Sequence, residues 1–260
     1  RFCGPKKQNE MRHMGLFEGI CGFSLAARWA GWNTPVMVEW NTYCQTVLKK
    51  NFPDATIFSD IRNFDGTAYA GQIDIITGGF PCQPFSSAGK RAGTDDDRYL
   101  WPEMLRVIRE VAPAWVVGEN VAGLLSMDGG RVFAGILADL ENAGYSTEVY
   151  LIPAIALGAP HRRDRVWIVA HSKQRRFPGR IQQRRKPGAI KFASMGGNNN
   201  GHPKWEAWNR SPEFLLRHYG LSGKLDEPEI KALGNAIVPQ IAYQIFDAIN
   251  KKIECTTPST

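Results

Sequence analysis

The 260-residue chain is short of several things, and each shortage closes off a class. Its cysteines number five: Cys3, Cys21, Cys44, Cys82 and Cys255. An odd, widely spaced set without a CxxC pair predicts neither a disulfide framework nor a zinc site, and a reducing cytoplasm is the simplest compartment. No apolar run approaches the ~20 residues of a membrane-spanning helix. The start, Arg1 to Glu10, is polar and lacks the apolar core of a signal peptide. No metal is expected, because Asp95, Asp96 and Asp97 are consecutive and read as a solvated turn, without the spacing that turns ligands inward. Acidic residues are missing altogether from Arg165 to Trp205, where ten Lys/Arg fall. The rest of the chain then holds 22 basic and 25 acidic residues, so the net charge of +7 sits in one segment. A basic segment on a slightly acidic body suits a polyanion, most simply nucleic acid. A solvated loop is the plainer alternative. At 43% hydrophobic and 22% charged residues, the chain fits one large globular domain, alone or with a small one.

What is present is a succession of β and α units whose strand ends carry reactive groups. Residues Ile73 to Arg91 read IDIITGGFPCQPFSSAGKR. The β-branched run predicts a buried strand, stopped by Gly78 and Gly79. Cys82 then lies between Pro81 and Pro84, on a rigid loop past a strand's carboxyl end, where ligands bind in an open α/β sheet. A buried structural thiol is the commoner fate of a cysteine, but these neighbours suit core packing poorly and favour a nucleophile. Upstream, Met14 to Phe23 reads MGLFEGICGF and leads into a helical pattern ending at Gly31, the opening βα unit of a nucleotide-binding fold. A second strand, Pro35 to Val38, ends in Glu39, about 20 residues past the glycine turn, where a ribose-binding carboxylate belongs. Trp40 beside it suits the wall of an adenine-like ring. A third strand, Ala55 to Phe58, precedes Asp60, which suits either a base amine or a turn cap.

A helical face (Leu100, Met104, Leu105, Ile108, Val111) and a strand over Trp115 to Val117 follow, with Glu119 expected at the strand's carboxyl edge. Arg131 to Asn142 is predicted as a helix closed by Gly144, and Glu148 to Ala156 and Val166 to Ala170 as strands. Between them lies PHRRDR. If that loop is extended, Arg163 and Arg165 share one side and suit a common phosphate or base-edge ligand. Lys173 to Gly201 is basic and without apolar periodicity, whereas Trp205, Trp208 and Phe214 promise a little core. A GNAIVPQ turn, residues 234–240, then leads into a helix carrying Ile241, Ile245, Phe246 and Ile249 on one face.

Three carboxylates and one cysteine at strand ends share one rim. Together, LFEGICG, GGFPCQPFS, GENV, HRRDR and GNAIVPQ resemble, in order, the motifs of bacterial and phage C5-cytosine-specific DNA methyltransferases, over residues 13–250. The resemblance implies an α/β fold with a doubly wound, mostly parallel, Rossmann-like sheet. It implies a catalytic and cofactor-binding domain over 13–171, a short, basic, irregular target-recognition region over 172–230, and a segment over 231–253 returning to the catalytic domain. It also implies a cytoplasmic, monomeric enzyme of the restriction–modification kind, with double-stranded DNA as partner, no membrane and no metal. S-adenosylmethionine is the implied cofactor and S-adenosylhomocysteine its product.

By that resemblance Cys82 is the nucleophile toward C6 of a flipped-out cytosine. Glu119 holds N3 and the exocyclic amine. Arg163 and Arg165 hold the nucleotide and, as nearby positive charge, help ionise the thiol. Phe17, Gly19, Gly22, Glu39, Trp40, Asp60, Ile61, Gly78, Pro81, Leu100, Asn235 and Ala236 form the cofactor site. Gln83, Ser86, Ser87 and Arg91 close over DNA. The cofactor loop departs from the family pattern at Glu18 and Cys21. This predicts a negative charge near the methyl donor's carboxylate and a side chain where the backbone meets the ligand. The alternative reading is therefore a DNA-binding relative with weakened or lost methyl transfer.

Overall fold

The structure, a computed structural model, describes residues 10–82, 99–159, 161–174 and 232–256. Its centre is a seven-stranded sheet of order β3-β2-β1-β4-β5-β7-β6. The strands are β1 (Arg12–Leu16), β2 (Asn33–Val38), β3 (Thr56–Phe58), β4 (Ile75–Gly78), β5 (Trp115–Val121), β6 (Tyr145–Pro153) and β7 (Asp164–Ser172). The first five are parallel, and β7 runs antiparallel between β5 and β6. The chain winds outward from β1 to β3, crosses back to β4, and winds the other way. The order thus reverses between β1 and β4, and the crevice beyond their carboxyl ends is where such sheets bind ligands.

Alternation along the central strands builds two cores. Ile76, Val116 and Ile168 face α3 (Trp101–Val111) and α4 (Arg131–Asn142). Their neighbours Ile75, Val117 and Val169 face the opposite side, against α1 (Gly22–Trp29) and α5 (Pro239–Thr256). Successive strand residues point to opposite faces, so a strand buried on both sides reads as one continuous apolar run. α2 (Thr42–Asn51) starts on Asn41, whose side chain accepts from the Cys44 N–H at 3.1 Å, and covers Met37 through Leu48.

Two buried polar links lock this arrangement. His13 on β1 bonds Thr34 Oγ1 on β2 at 2.9 Å and Thr77 Oγ1 on β4 at 2.8 Å. Burial pushes this imidazole down to about 3, so it stays neutral. Trp32 Nε1 donates to Asn250 Oδ1 at 2.8 Å, and Asn250 Nδ2 donates to the Ala30 carbonyl at 3.2 Å, tying α5 to the end of α1.

Strands β5, β6 and β7 depart furthest from the sequence reading. β6 begins at Tyr145 and gives way to a 3-10 turn at Ala154–Leu157, instead of running from 148 to 156. β7 reaches from Asp164 to Ser172, beyond the apolar stretch at 166–170. β5 continues to Val121, so Glu119 lies inside a strand and not at its edge. The reason is common to all three: β7 pairs with Val121 through Trp115 on one side and with Tyr145 through Pro153 on the other. Ladder bonds come from the backbone and need no apolar side chain. Among the described residues no helix is long and apolar enough to cross a membrane.

Candidate active site

The site grows from the turn between β1 and α1. Phe17 (φ 53°), Gly19 (φ 57°) and Cys21 (φ 75°) are all left-handed, which folds the loop sharply. Left-handed backbone is costly for residues with a Cβ, so Phe17 and Cys21 carry strain that the fold must hold. Glu39 is one of the clamps. Buried at the end of β2, it accepts from the Gly19 N–H at 2.7 Å and from the Asn41 N–H at 2.8 Å.

Glu18 is the other clamp, and here the structure corrects the sequence reading. Its side chain turns inward, away from the crevice, and accepts from the Ser24 N–H in the first turn of α1 at 2.7 Å. A Cβ on Gly15 would lie 1.9 Å from Glu18 Oε2, so only glycine leaves room for this carboxyl. Burial pushes Glu18 up to about 7, helped slightly by the charge of Glu39. Cys21 also points away, into an apolar cluster with Met37, Leu48 and Phe52. Among the described residues, neither Glu18 nor Cys21 lines the two cavities over the strand ends, so neither side chain supports the reading of lost catalysis.

Two adjoining cavities open over the carboxyl ends of the strands. The first, of 470 Å³, is lined by Phe17, Val38, Glu39, Trp40, Ser59, Asp60, Ile61, Arg62, Pro81 and Leu100. Its walls are mostly apolar, with carboxylates at two strand ends, which suits a nucleoside. Trp40 is 74% exposed and forms an open wall. Asp60 both caps the next turn and faces this cavity: its carboxylate accepts from Arg62 N at 3.0 Å and pairs with the Arg62 guanidinium at 3.1 Å. The second cavity, of 820 Å³, shares Phe17, Glu39, Trp40 and Pro81 with the first and adds Gly19, Cys82, Glu119, Asn120, Arg165, Gly234 and Asn235. Gly22, Gly78 and Ala236 stand back from both. A Cβ on Gly22 would meet Ile237 at 2.5 Å, and one on Gly78 would meet Met104 at 3.1 Å, so these glycines serve close packing.

In the second cavity Arg165 Nε meets Glu119 Oε1 at 2.9 Å across β5 and β7. Burial pushes Glu119 up to about 7, against the pull of Arg165 and Arg163. Arg163 does not share an extended segment with Arg165. Its φ of 35° breaks the strand, and its guanidinium donates to the carbonyls of Gly234 at 3.0 Å and Ala236 at 2.6 Å. It thereby ties the returning GNAIVPQ segment to the site. The Cys82 thiol is raised, not lowered: burial pushes it up and the Glu119 charge adds to it, against a hydrogen bond with Asn120 that would lower it if the amide donated, while both arginines are turned to other partners. Its sulfur contacts Asn120 Oδ1 at 2.7 Å. Asn120 is buried beside Glu119 in GENV, and its contact with sulfur left no separate mark in the sequence. Gln83, Ser86, Ser87, Arg91, Trp205, Trp208, Phe214 and most of the basic segment lie outside the described residues. Among the described residues, no three His, Cys, Asp or Glu side chains gather as a metal site.

The chain is similar to two type II methyltransferases. It is 41% identical to M.PspPI of Psychrobacter sp. over 159 residues, covering 59% of this chain and 38% of that protein. It is 36% identical to M.Eco47II of Escherichia coli over 158 residues, covering 60% of this chain and 38% of that protein. The chain thus spans under two fifths of the length of these relatives. Its fold matches that of the Entamoeba histolytica methyltransferase EhMeth with a TM-score of 0.65 at 14% identity, over 95% of this chain and 99% of the other. The family model described as C-5 cytosine-specific DNA methylase matches residues 11–204. With that match over most of the chain, the chain belongs to the C-5 cytosine-specific DNA methylase family.

Proposed function

We propose that the chain transfers a methyl group from S-adenosylmethionine to C5 of cytosine in double-stranded DNA. The observation that carries this is the meeting of the Cys82 thiol and the Glu119–Arg165 pair in one cavity, which shares a wall with a nucleoside-sized one. Phe17, Gly19, Glu39, Trp40, Asp60, Ile61, Pro81, Leu100 and Asn235 would hold the cofactor, with Glu39 toward the ribose and Trp40 over the base. When bound, the cofactor supplies an electrophilic methyl group and leaves as S-adenosylhomocysteine.

The residues of the chain do the rest. A cytosine flipped out of the duplex enters the larger cavity. Cys82 loses its thiol proton to solvent and adds to C6 through Sγ as the thiolate, and the electrons of the C5–C6 double bond shift through the ring to N3, which takes the proton of Glu119. A carboxyl held near 7 retains that proton at neutral pH far better than an ordinary glutamate. Arg165 orients Glu119 and offsets the charge left on it. C5, now nucleophilic, accepts the methyl group. Loss of the C5 proton to a base and departure of the Cys82 sulfur restore the aromatic ring. Glu119 recovers its proton from N3.

The basic residues between Arg165 and Trp205 supply sequence-independent attraction to phosphate. Over 172–230 they form the short recognition region, and the protein works as a monomer in the cytoplasm of a bacterium or a phage-infected cell. Incubation with labelled S-adenosylmethionine and duplex DNA tests the reading: label enters DNA, and Cys82→Ala abolishes it. A duplex bearing 5-fluorocytosine traps an adduct on Cys82. Absence of both DNA binding and label overturns the proposal.

A further inference from the structure

The structure assigns Asn120 a positioning role: it holds Cys82 as a hydrogen-bonded thiol while no base occupies the cavity. This rests on Cys82 being the nucleophile of the proposed reaction.

The assignment turns on which end of the amide faces the sulfur. Asn120 is 5% exposed and follows Glu119 on β5. Its Nδ2 donates to the Phe80 carbonyl at 2.8 Å, and its Oδ1 accepts from the Val121 N–H at 2.9 Å. A flipped amide would set a carbonyl against the Phe80 carbonyl and an NH2 against the Val121 N–H, and both bonds would be broken inside the protein. The atom 2.7 Å from Cys82 Sγ is therefore an acceptor. A bond donated by Asn120 would lower the thiol, but with its oxygen toward sulfur the sign reverses: an acceptor gains a bond from S–H and repels S⁻. An amide nitrogen in the same place would do the reverse.

The other charged and titratable groups around the sulfur do not undo this. Glu119 on β5 and Asp128 in the turn after it add negative charge to the cavity. Tyr99, bridged to Cys82 through the backbone, is pushed up to about 12 by burial and stays neutral. Arg165 on β7 is turned to Glu119, and Arg163 to the carbonyls after Ala232. The thiolate is the form that reacts with alkylating agents and oxidants. The Asn120 contact thus keeps the nucleophile quiet between substrates. It also favours the proton on sulfur, whereas the proposed reaction needs it on Glu119.

The test is the pH dependence of Cys82 alkylation by iodoacetamide in the full chain without DNA, read by mass mapping of the Cys82 peptide. Asn120→Ala lowers the midpoint by about one pH unit and speeds alkylation at neutral pH about tenfold. Asn120→Asp, which sets a charged acceptor against the sulfur, raises the midpoint. An unchanged or raised midpoint in Asn120→Ala overturns the assignment. If that variant does not fold, the infrared difference spectrum of wild type minus Cys82→Ala decides. A red-shifted S–H band supports the assignment, and a free-thiol band, or no S–H band at neutral pH, overturns it. None of these readings requires methyl transfer. A protein that fails to label DNA yet shows the shift loses the proposed function and keeps the hydrogen bond.

Discussion

Glu18 and Glu119 are both held near neutrality by burial, and both weaken the fold as pH rises. Each has a folded value of about 7 against an ordinary 4.5. The stability they lend is complete below about 4.5 and is lost as pH climbs through about 7. Glu18→Gln keeps the bond to the Ser24 N–H and removes the charge. It stabilises the chain at pH 8 by on the order of 1–3 kcal/mol and hardly at all at pH 5, as urea melts at the two pH values would read. An equal difference at both pH values would show that Glu18 does not titrate in this range. His13 works in the opposite direction, its stabilisation present above about 6.5 and fading as pH falls toward about 3. In catalysis the productive pair carries one proton, on Glu119 and not on Cys82. The kcat/KM profile therefore rises to about pH 7, stays level up to the raised thiol value, and falls beyond it. A profile that falls through pH 7 would mean that the thiol need not ionise.

The packing of α5 is the element-scale link between the chain's two ends. Asn250→Ala strands Trp32 Nε1 and the Ala30 carbonyl inside the protein, and costs about 1–3 kcal/mol in chemical denaturation. An unchanged melting curve would mean that the apolar contacts of Phe246 and Ile249 alone hold the helix. Much at this scale was legible in the sequence. The periodicity of Arg131–Asn142 gave the bounds of α4, and the β-branched run at Ile75 gave a strand ending just before the reactive loop. The two strands of the edge hairpin were legible, but their bounds and register were not. In β6 only the ends are sheltered, while Val149, Tyr150 and Leu151 are exposed, so no alternation marks its register. The extension of β5 through Glu119 depends on a partner strand some forty residues downstream. The inward turn of Glu18 depends on the missing side chain of Gly15, a fact of packing that composition cannot carry. The residues of the site were visible as motifs, but the pairing of Arg163 with carbonyls and of Cys82 with an amide oxygen follows from geometry alone.

At the scale of the whole molecule, charge is segregated: ten basic residues lie in a stretch without a single acid, on a body that is slightly acidic. DNA affinity should fall steeply with salt. Arg184, Arg185 and Lys186 replaced together by Ala should flatten the slope of log K against log salt by about 0.9 for each phosphate no longer neutralised. An unaltered slope would place the phosphate-binding residues elsewhere. The antiparallel strand in an otherwise parallel sheet has a further consequence. Val121 lies opposite Arg165 and Glu119 opposite Trp167, so the ion pair is a diagonal across two strands. A slip of β7 by one residue would carry Arg165 to the other face and leave the Glu119 carboxylate walled in without a counter-charge. The group that receives the base is thereby also a checkpoint of assembly: a chain that zips this sheet in the wrong register is penalised at the very spot where it would later have to work.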